Sequence, residues 1–152
     1  MSTPRWLDDG EQRAWRGFLD MYAQLTLELG RQLQRDTDLS TADYGVLVHL
    51  SEAPDHELRA FELGDALRWE KSRLSHQLKR MEQRGLVQRR TCPTDARGAH
   101  VALTEEGRHA IERAAPAHVE EIRRLLFDAL TAEQVGQLTA IADAVLANLA
   151  RR

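Results

Sequence analysis

Side chains that can donate hydrogen bonds or carry positive charge are concentrated in one stretch, from Trp69 to Leu103. In its first half, Leu74, Leu78 and Met81 follow one another at i, i+4 and i+7, which predicts a helix with one apolar stripe. The opposite face and its flanks carry donors and bases and no carboxylate: Ser72, Arg73, Ser75, His76, Lys79, Arg80 and Gln83. Such a face can neutralise phosphates and donate hydrogen bonds to base edges.

The simplest interpretation of this pattern is an amphipathic helix with a solvated face. Two features argue against it, since surface helices usually mix both signs of charge and the following segment is also basic. Leu86–Thr91 predicts a strand that carries Arg89 and Arg90, a turn-rich loop follows, and His100–Leu103 predicts a second strand. Helix, strand, basic loop and strand form a winged helix-turn-helix, whose helix enters the major groove of DNA and whose loop reaches the minor groove.

The charge distribution supports a polyanionic partner although the whole chain has a net charge of −3. From Arg59 to His100 there are ten Lys and Arg against five Asp and Glu, a net charge of +5, whereas the remaining residues have 11 against 19. A local basic patch, rather than the overall balance, determines phosphate binding.

Composition argues against a disordered, a membrane-spanning or a disulfide-bonded secreted protein. With 42% hydrophobic and 30% charged residues, the 152-residue chain is globular and suits a single domain. No apolar run approaches the roughly 20 residues needed to span a bilayer, and the N-terminus lacks the apolar core of a signal peptide. Cys92 is the only cysteine and excludes an internal disulfide. We therefore expect a cytoplasmic protein with no membrane partner.

The flanking segments predict helices that position the basic stretch. A long helical pattern runs from about Glu11 to Arg35, and residues before it are expected to fray. A second helix begins after Ser40, a good N-cap with Asp43 at N3, and ends near Ala53 and Pro54.

A short strand at Glu57–Arg59 and a short helix at Ala60–Leu67 precede the basic helix. After the second strand, Thr104 caps a helix expected to reach about Asp128, with a kink at Pro116. Thr131 and Gln134 form a capping box for the last helix. The predicted fold class is mainly α with a small β-wing (α+β).

The chain resembles the multiple antibiotic resistance regulator (MarR) family of bacterial transcription factors. The matching residues include Phe61–Leu63, Lys71 with Ser72, and three runs at characteristic spacings: Met81–Arg90, Pro93–Gly98 and Val101–Gly107. Element order agrees over nearly the whole chain, and the stretch from Met81 to Gly107 is the specific part. Arg68 stands where Gly or Asn is common in the family, which predicts backbone strain in that turn.

The resemblance implies one MarR-like domain over residues 1–152. Residues 11–37 and 105–150 would form a helical dimerisation platform, and residues 40–103 a winged helix-turn-helix lobe. The family forms obligate homodimers that bind palindromic double-stranded DNA in successive major grooves, roughly 34–36 Å apart. The resemblance therefore implies a transcriptional regulator, most simply a repressor that a small ligand releases, and not an enzyme.

The resemblance also implies roles for individual residues. Arg97 would enter the minor groove with Asp95 orienting it, and Lys71, Ser72, Arg73, Ser75 and His76 would contact base edges and phosphates. The predicted DNA-binding set is completed by residues on the same helix and the first strand: Lys79, Arg80, Arg89 and Arg90. Many relatives bind an aromatic acid, for which the candidate wall here is Trp15, Phe18, Tyr22, His49 and Trp69.

Three alternatives remain open. Ordinary core and dimer packing would also explain the residues of the candidate wall, and for any single residue it is the favoured interpretation. Cys92 lies near three arginines, which could lower its pKa and make it an oxidation sensor. A helical protein–protein adaptor with a vestigial DNA reader would share the same fold. The six histidines form no metal-binding motif, and we expect neither a metal nor another cofactor.

Overall fold

The structure is a computed structural model that describes residues 3–91 and 99–152. In these ranges it contains helices, two short 3-10 turns and one small sheet. The helices are α1 (Asp9–Asp36), α2 (Thr41–Glu52), α3 (Ala60–Leu67), α4 (Lys71–Gln83), α5 (Glu105–Leu125) and α6 (Ala132–Ala150). The strands are β1 (Glu57–Arg59), β2 (Val87–Thr91) and β3 (Ala99–Leu103). The predicted fold class, mainly α with a small β-wing, is confirmed.

The sheet is antiparallel with β3 in the centre, between β1 and β2. Val101 of β3 pairs with Leu58 of β1 on one side and with Arg89 of β2 on the other. The predicted two-stranded ribbon after the basic helix is therefore present, and the short strand at Glu57–Arg59 joins its edge.

Residues cluster into two compact units. One consists of Gly30–His118, and the other is formed from the described parts of Met1–Leu29 and Val119–Arg152. The first unit contains α2, α3, α4 and the sheet, and both α1 and α5 contribute residues to both units.

The Gly30–His118 unit is built on an apolar core to which α2, α3, α4 and α5 contribute. From α4, Leu74, Leu78 and Met81 are each at most 4% exposed, which confirms the predicted stripe. Further members of this core are Leu39, Val46, Leu47, Leu50, Leu63, Leu86, Val87, Val101, Ile111 and Ala114. Burial of this stripe leaves the polar face of α4 on the outside.

The C-terminal end of α4 is fixed to the start of α5. Gly85 has a φ of 75°, the left-handed conformation that commonly ends a helix. The Thr104 hydroxyl lies 2.6 Å from the carbonyl oxygen of Gly85 and accepts from the Gly107 N–H at 3.0 Å. A Cβ at Gly107 would overlap the carbonyl oxygen of Leu86, so only glycine allows this close approach.

Two helix ends differ from the prediction. Helix α1 begins at Asp9 rather than about Glu11, because Asp8 and Glu11 each accept a hydrogen bond from the other's backbone N–H. Helix α5 continues through Pro116 and ends at Leu125, before a 3-10 turn at Phe127–Ala129. The predicted helix to about Asp128 was therefore three residues too long.

In the other unit, α6 has no buried residue. It begins at the predicted capping box, in which Thr131 and Gln134 exchange hydrogen bonds of 2.9 and 3.1 Å. Its apolar residues Ile141, Val145, Leu146 and Leu149 are all more than half exposed. Among the described residues, no helix is long and apolar enough to cross a membrane.

Candidate nucleic-acid interface

The polar face of α4 is open to solvent along its whole length. Gln77, at 4% exposure, is buried together with the apolar stripe, whereas the predicted DNA-contacting side chains of this helix are exposed. These are Lys71, Ser72, Arg73, Ser75, His76, Lys79 and Arg80. The structure thus brings seven of the eleven predicted DNA-binding residues onto one helix surface.

The turn before α4 is strained, as predicted. Arg68 has a φ of 58° and a ψ of 37°, a left-handed conformation that is uncommon for any residue except glycine, asparagine and aspartate. The turn closes with a 3.0 Å hydrogen bond from the Trp69 N–H to the carbonyl oxygen of Gly64. Glu70 occupies the N-cap of α4 without a side-chain hydrogen bond to the helix.

The carboxylate of Asp43, at 4% exposure, joins α2 to α4. Its Oδ1 accepts from Gln77 Nε2 at 2.6 Å, and its Oδ2 accepts from the Ser40 N–H at 2.9 Å and Arg84 Nη1 at 2.7 Å. The predicted role of Asp43 at the start of α2 is confirmed by the capping box with Ser40. Its contacts with Gln77 and Arg84 were not predicted, because those residues lie 34 and 41 positions away.

The hydrogen bonds of Asp43 also orient Arg80, a residue of the exposed face of α4. Gln77 donates through its amide nitrogen to Asp43, which directs the amide oxygen outward. That oxygen accepts a 2.8 Å hydrogen bond from Arg80 Nη2. Arg84 also donates to the carbonyl oxygen of Asp38 at 2.7 Å. One buried carboxylate therefore positions Arg80, near the C-terminal end of α4, through Gln77, and binds Arg84, the residue that follows the helix, directly.

Opposing effects act on the pKa of Asp43. Burial raises it, but the Ser40 N–H and the hydrogen bond and charge of Arg84 lower it by more, so the pKa lies below the ordinary value of 3.8. Asp43 is consequently ionised at neutral pH, where it holds the guanidinium of Arg84.

The two predicted arginines of β2 are placed beside acceptors. Glu82 accepts from the Arg89 N–H at 2.9 Å, and its carboxylate lies 3.5 Å from the Arg89 guanidinium. Arg90 lies 4.0 Å from the Glu57 carboxylate, which is also 3.2 Å from His100 Nδ1. Arg89 is therefore joined to α4 through Glu82, and each of the two arginines is shared with an acid.

Three predicted residues, Cys92, Asp95 and Arg97, lie outside the described residues. The minor-groove role of Arg97, the orienting role of Asp95 and the redox role of Cys92 stay predictions.

The five candidate ligand residues are divided between the two units. Trp15, Phe18 and Tyr22 belong to one unit and are each more than half exposed, with the rings of Trp15 and Phe18 stacked at 6.0 Å. His49 and Trp69 belong to the other, where His49 Nδ1 lies 2.8 Å from the carbonyl oxygen of Gly45. That these five residues form one ligand wall stays a prediction.

Trp69 does line a cavity of about 510 Å³ beside α4. Its walls combine aromatic rings, from Phe61 and Trp69, with basic and polar groups from Lys71, Ser75 and Arg89. Arg59, Ala60, Gly64, Asp65, Leu74, Leu78 and Ala99 complete the lining. The cavity therefore adjoins residues of the candidate DNA-binding face.

His118 is a buried titratable group on α5 that sequence reasoning did not place. It is 7% exposed, its Nδ1 lies 2.7 Å from Oε1 of buried Gln32, and its ring lies 4.3 Å from that of Tyr44. Burial lowers the pKa of His118. Within the described ranges, no group of three or more His, Cys, Asp or Glu residues could hold a metal ion.

Comparison with known proteins gives consistent matches. A family model described as the MarR family matches residues 37–98. AbsC, a MarR family transcriptional regulator from Streptomyces coelicolor, is 39% identical with a TM-score of 0.92, over 98% of this chain and 100% of that one. No curated protein sequence matches significantly.

Several of the similar structures contain DNA. Sco3205, a MarR family transcriptional regulator from Streptomyces coelicolor solved in complex with DNA, is 42% identical with a TM-score of 0.92, over 98% of this chain and 93% of that one. A mutant MarR from E. coli complexed with operator DNA is 26% identical with a TM-score of 0.77, over 86% and 91% of the two chains.

Replacing the buried carboxylate tests the network that holds α4. Asp43→Asn should lower the free energy of unfolding by about 1–3 kcal/mol at neutral pH, because an amide cannot accept from all three donors. Since the pKa of Asp43 is lowered in the folded state, its contribution is complete above about pH 4 and is lost as the pH falls further. Urea unfolding at neutral pH and at about pH 3 measures both effects, and the difference between variant and wild type should shrink in acid.

Asp143→Asn is the control, because Asp143 is an exposed acid on α6. An equal loss of stability in both variants, or a difference that does not change with pH, would contradict the assigned role of Asp43.

Proposed function

Since the chain belongs to the MarR family of transcriptional regulators, we propose that it binds a palindromic operator as a homodimer and represses the promoter containing it. At the coarser level it is a DNA-binding transcriptional regulator, and not an enzyme. In the proposal, α4 is the recognition helix, residues 92–98 form the wing, and a small ligand releases the protein from DNA. Residues 40–103 would serve as the reader, and residues 11–37 and 105–150 as the dimerisation platform.

The observation that carries the proposal is the exposed face of α4. Lys71, Arg73, Lys79 and Arg80 place four positive charges on a 13-residue helix whose other face is buried in the core. Ser72, Ser75 and His76 add hydrogen-bonding groups to the same face. An α-helix fits the major groove, where arginine and lysine recognise guanine and serine can recognise several bases.

Apolar surface on the second unit supports the homodimer. Trp15, Phe18 and Tyr22 on α1 are 53–62% exposed, and Val145 and Leu149 on α6 are 53% and 55% exposed. Several large apolar side chains exposed on the same unit indicate an interaction site. A two-fold dimer would cover these helices and present two copies of α4 to the two halves of a palindrome.

In this proposal, repression depends on occupancy of the promoter, and release depends on the separation of the two recognition helices. A dimer on a promoter blocks access to it, and only one separation of the two recognition helices fits successive major grooves. A ligand that prefers another separation lowers DNA affinity by the difference in its own affinity for the two states.

We further propose that this ligand is an aromatic carboxylate bound in the cavity beside α4. Phe61 and Trp69 would cover an aromatic ring, and Arg89 or Lys71 would pair with the carboxylate. Because Lys71 and Ser75 belong to both the cavity and the α4 face, an occupied cavity would compete with DNA for the same groups.

A salt series of DNA binding tests the reader. The logarithm of the binding constant should fall linearly with the logarithm of salt concentration, with a slope of about −0.9 per phosphate neutralised.

Arg97→Ala should weaken binding by about 1–3 kcal/mol without dissociating the dimer. Fluorescence anisotropy with DNA from the promoter beside the protein's own gene measures both. Arg123→Ala, which removes an exposed arginine from α5, is the control and should retain full affinity. Binding that is absent or indifferent to salt would instead favour the adaptor.

Placing one charge on the apolar face of α6 tests the dimer. Val145→Glu should convert the dimer to a monomer, because a carboxylate would be buried without a partner at the interface. Ala147→Glu adds the same charge to the other side of the same helix and should remain dimeric. Light scattering after size-exclusion chromatography measures the mass. A wild-type monomer, or equal masses for the two variants, would refute the proposed interface.

Thermal shift across a panel of aromatic carboxylates tests the effector. A ligand at a hundred times its Kd should stabilise the fold by about 2.7 kcal/mol and raise the melting temperature. The matching carboxamides should have little effect, and a double variant that combines Lys71→Gln with Arg89→Gln should abolish the shift. A panel with no response would eliminate an aromatic carboxylate as the effector.

A further inference from the structure

We propose that Trp69 positions Arg73 to read one base pair in each half of the operator. This inference rests on the proposed function, and it adds a specificity-determining pair to it. Arg73 is the reading residue, and Trp69 is the residue that fixes its orientation.

The two side chains are stacked. The Arg73 guanidinium carbon lies 4.5 Å from the centroid of the Trp69 ring, within the range of a cation–π contact. The residues are four positions apart, so the stack spans the turn and the first turn of α4. The contact therefore favours one orientation of the flexible Arg73 side chain before any DNA arrives.

Trp69 is a rigid support for this stack. Its backbone N–H donates to the carbonyl oxygen of Gly64 at 3.0 Å, and its half-buried side chain packs against the apolar core. The preceding residue, Arg68, is fixed in the left-handed conformation that completes the turn. Because the indole is fixed in this way, its contact with the guanidinium favours one orientation of Arg73.

Stacking leaves the hydrogen-bonding edge of Arg73 available. A cation–π contact uses the flat face of the guanidinium, whereas its five N–H groups point outward in the plane. In the part of the chain that the structure describes, no hydrogen bond or ion pair occupies Arg73. Other nearby arginines differ, since Arg80 donates to Gln77 and Arg84 to Asp43.

The location of Arg73 suits base reading. It is the third residue of α4, and the first residues of a recognition helix are the ones that contact base edges. A planar guanidinium with a free edge pairs with O6 and N7 of guanine in the major groove. We therefore expect a guanine in each half-site whose recognition depends on Arg73, and through it on Trp69.

The experiment compares variants on an operator selected from random DNA and on versions with one base pair changed. Arg73→Ala should lower discrimination at one guanine per half-site by about five- to a hundredfold, the usual range for a bidentate contact. Trp69→Leu should lower discrimination at the same guanine by about two- to fivefold, the usual range for an exposed cation–π contact. Trp69→Phe, which keeps an aromatic face, should retain most of it. Trp69→Leu should add nothing in an Arg73→Ala background.

Trp6→Leu is the matched control, because Trp6 is 81% exposed in the unit that does not contain α4, and this variant should leave base preference unchanged. Trp69→Met, which also lacks a ring, replaces Trp69→Leu if the latter melts below the assay temperature. The inference is overturned if loss of the ring weakens binding equally at all positions, or if Arg73→Ala leaves every base preference intact. If the wild-type protein shows no preference for any DNA sequence, the proposed function fails together with the inference. If the wild type is selective and only the variants behave otherwise than expected, the inference alone fails.

Discussion

The buried carboxylate of Asp43 is the interaction on which the placement of α4 depends. It receives three hydrogen bonds, from the start of α2, from the buried face of α4 and from the residue that follows α4. A charge removed from water is costly unless each lone pair is used, so the three donors must converge for the fold to be stable. Apolar packing determines which face of α4 is buried, but it allows the helix to slide or rotate by small amounts. The directional bonds to Asp43 restrict that freedom.

This arrangement separates two groups of cations. The guanidinium of Arg84 serves the fold, since it is bound to Asp43 and to the carbonyl oxygen of Asp38. Lys71, Arg73 and Lys79 extend from the exposed face and pair with no acid in the described residues. A basic stretch of sequence thus contains both structural and ligand-facing charges. The charges of the second group are not offset by an acid and so contribute fully to the field that attracts a polyanion, and the buried network positions the helix that carries them.

Much of the fold could be predicted because its signals are local. The three-residue apolar stripe of α4, the caps at Ser40 and Thr131, and the strain at Arg68 each depend on residues within one or two turns. The network around Asp43 could not be predicted in this way. Gln77 appears as one more polar residue of α4, and nothing nearby in sequence shows that its amide is buried against an acid on another helix. The stack of Arg73 on Trp69 also requires the geometry of the turn, although the spacing of four residues permits it. The start of α1 lies earlier in the sequence than predicted, because the cap formed by Asp8 and Glu11 was not recognised.

The most direct test of the central claim, that the exposed face of α4 reads the major groove in a symmetric dimer, is protection of guanine N7 from dimethyl sulfate on bound DNA. Guanine N7 lies in the major groove, so its reactivity reports whether a side chain covers it. We predict two protected patches related by two-fold symmetry, with centres about one helical turn apart. Guanines in bound DNA that react as fast as those in free DNA would contradict the claim.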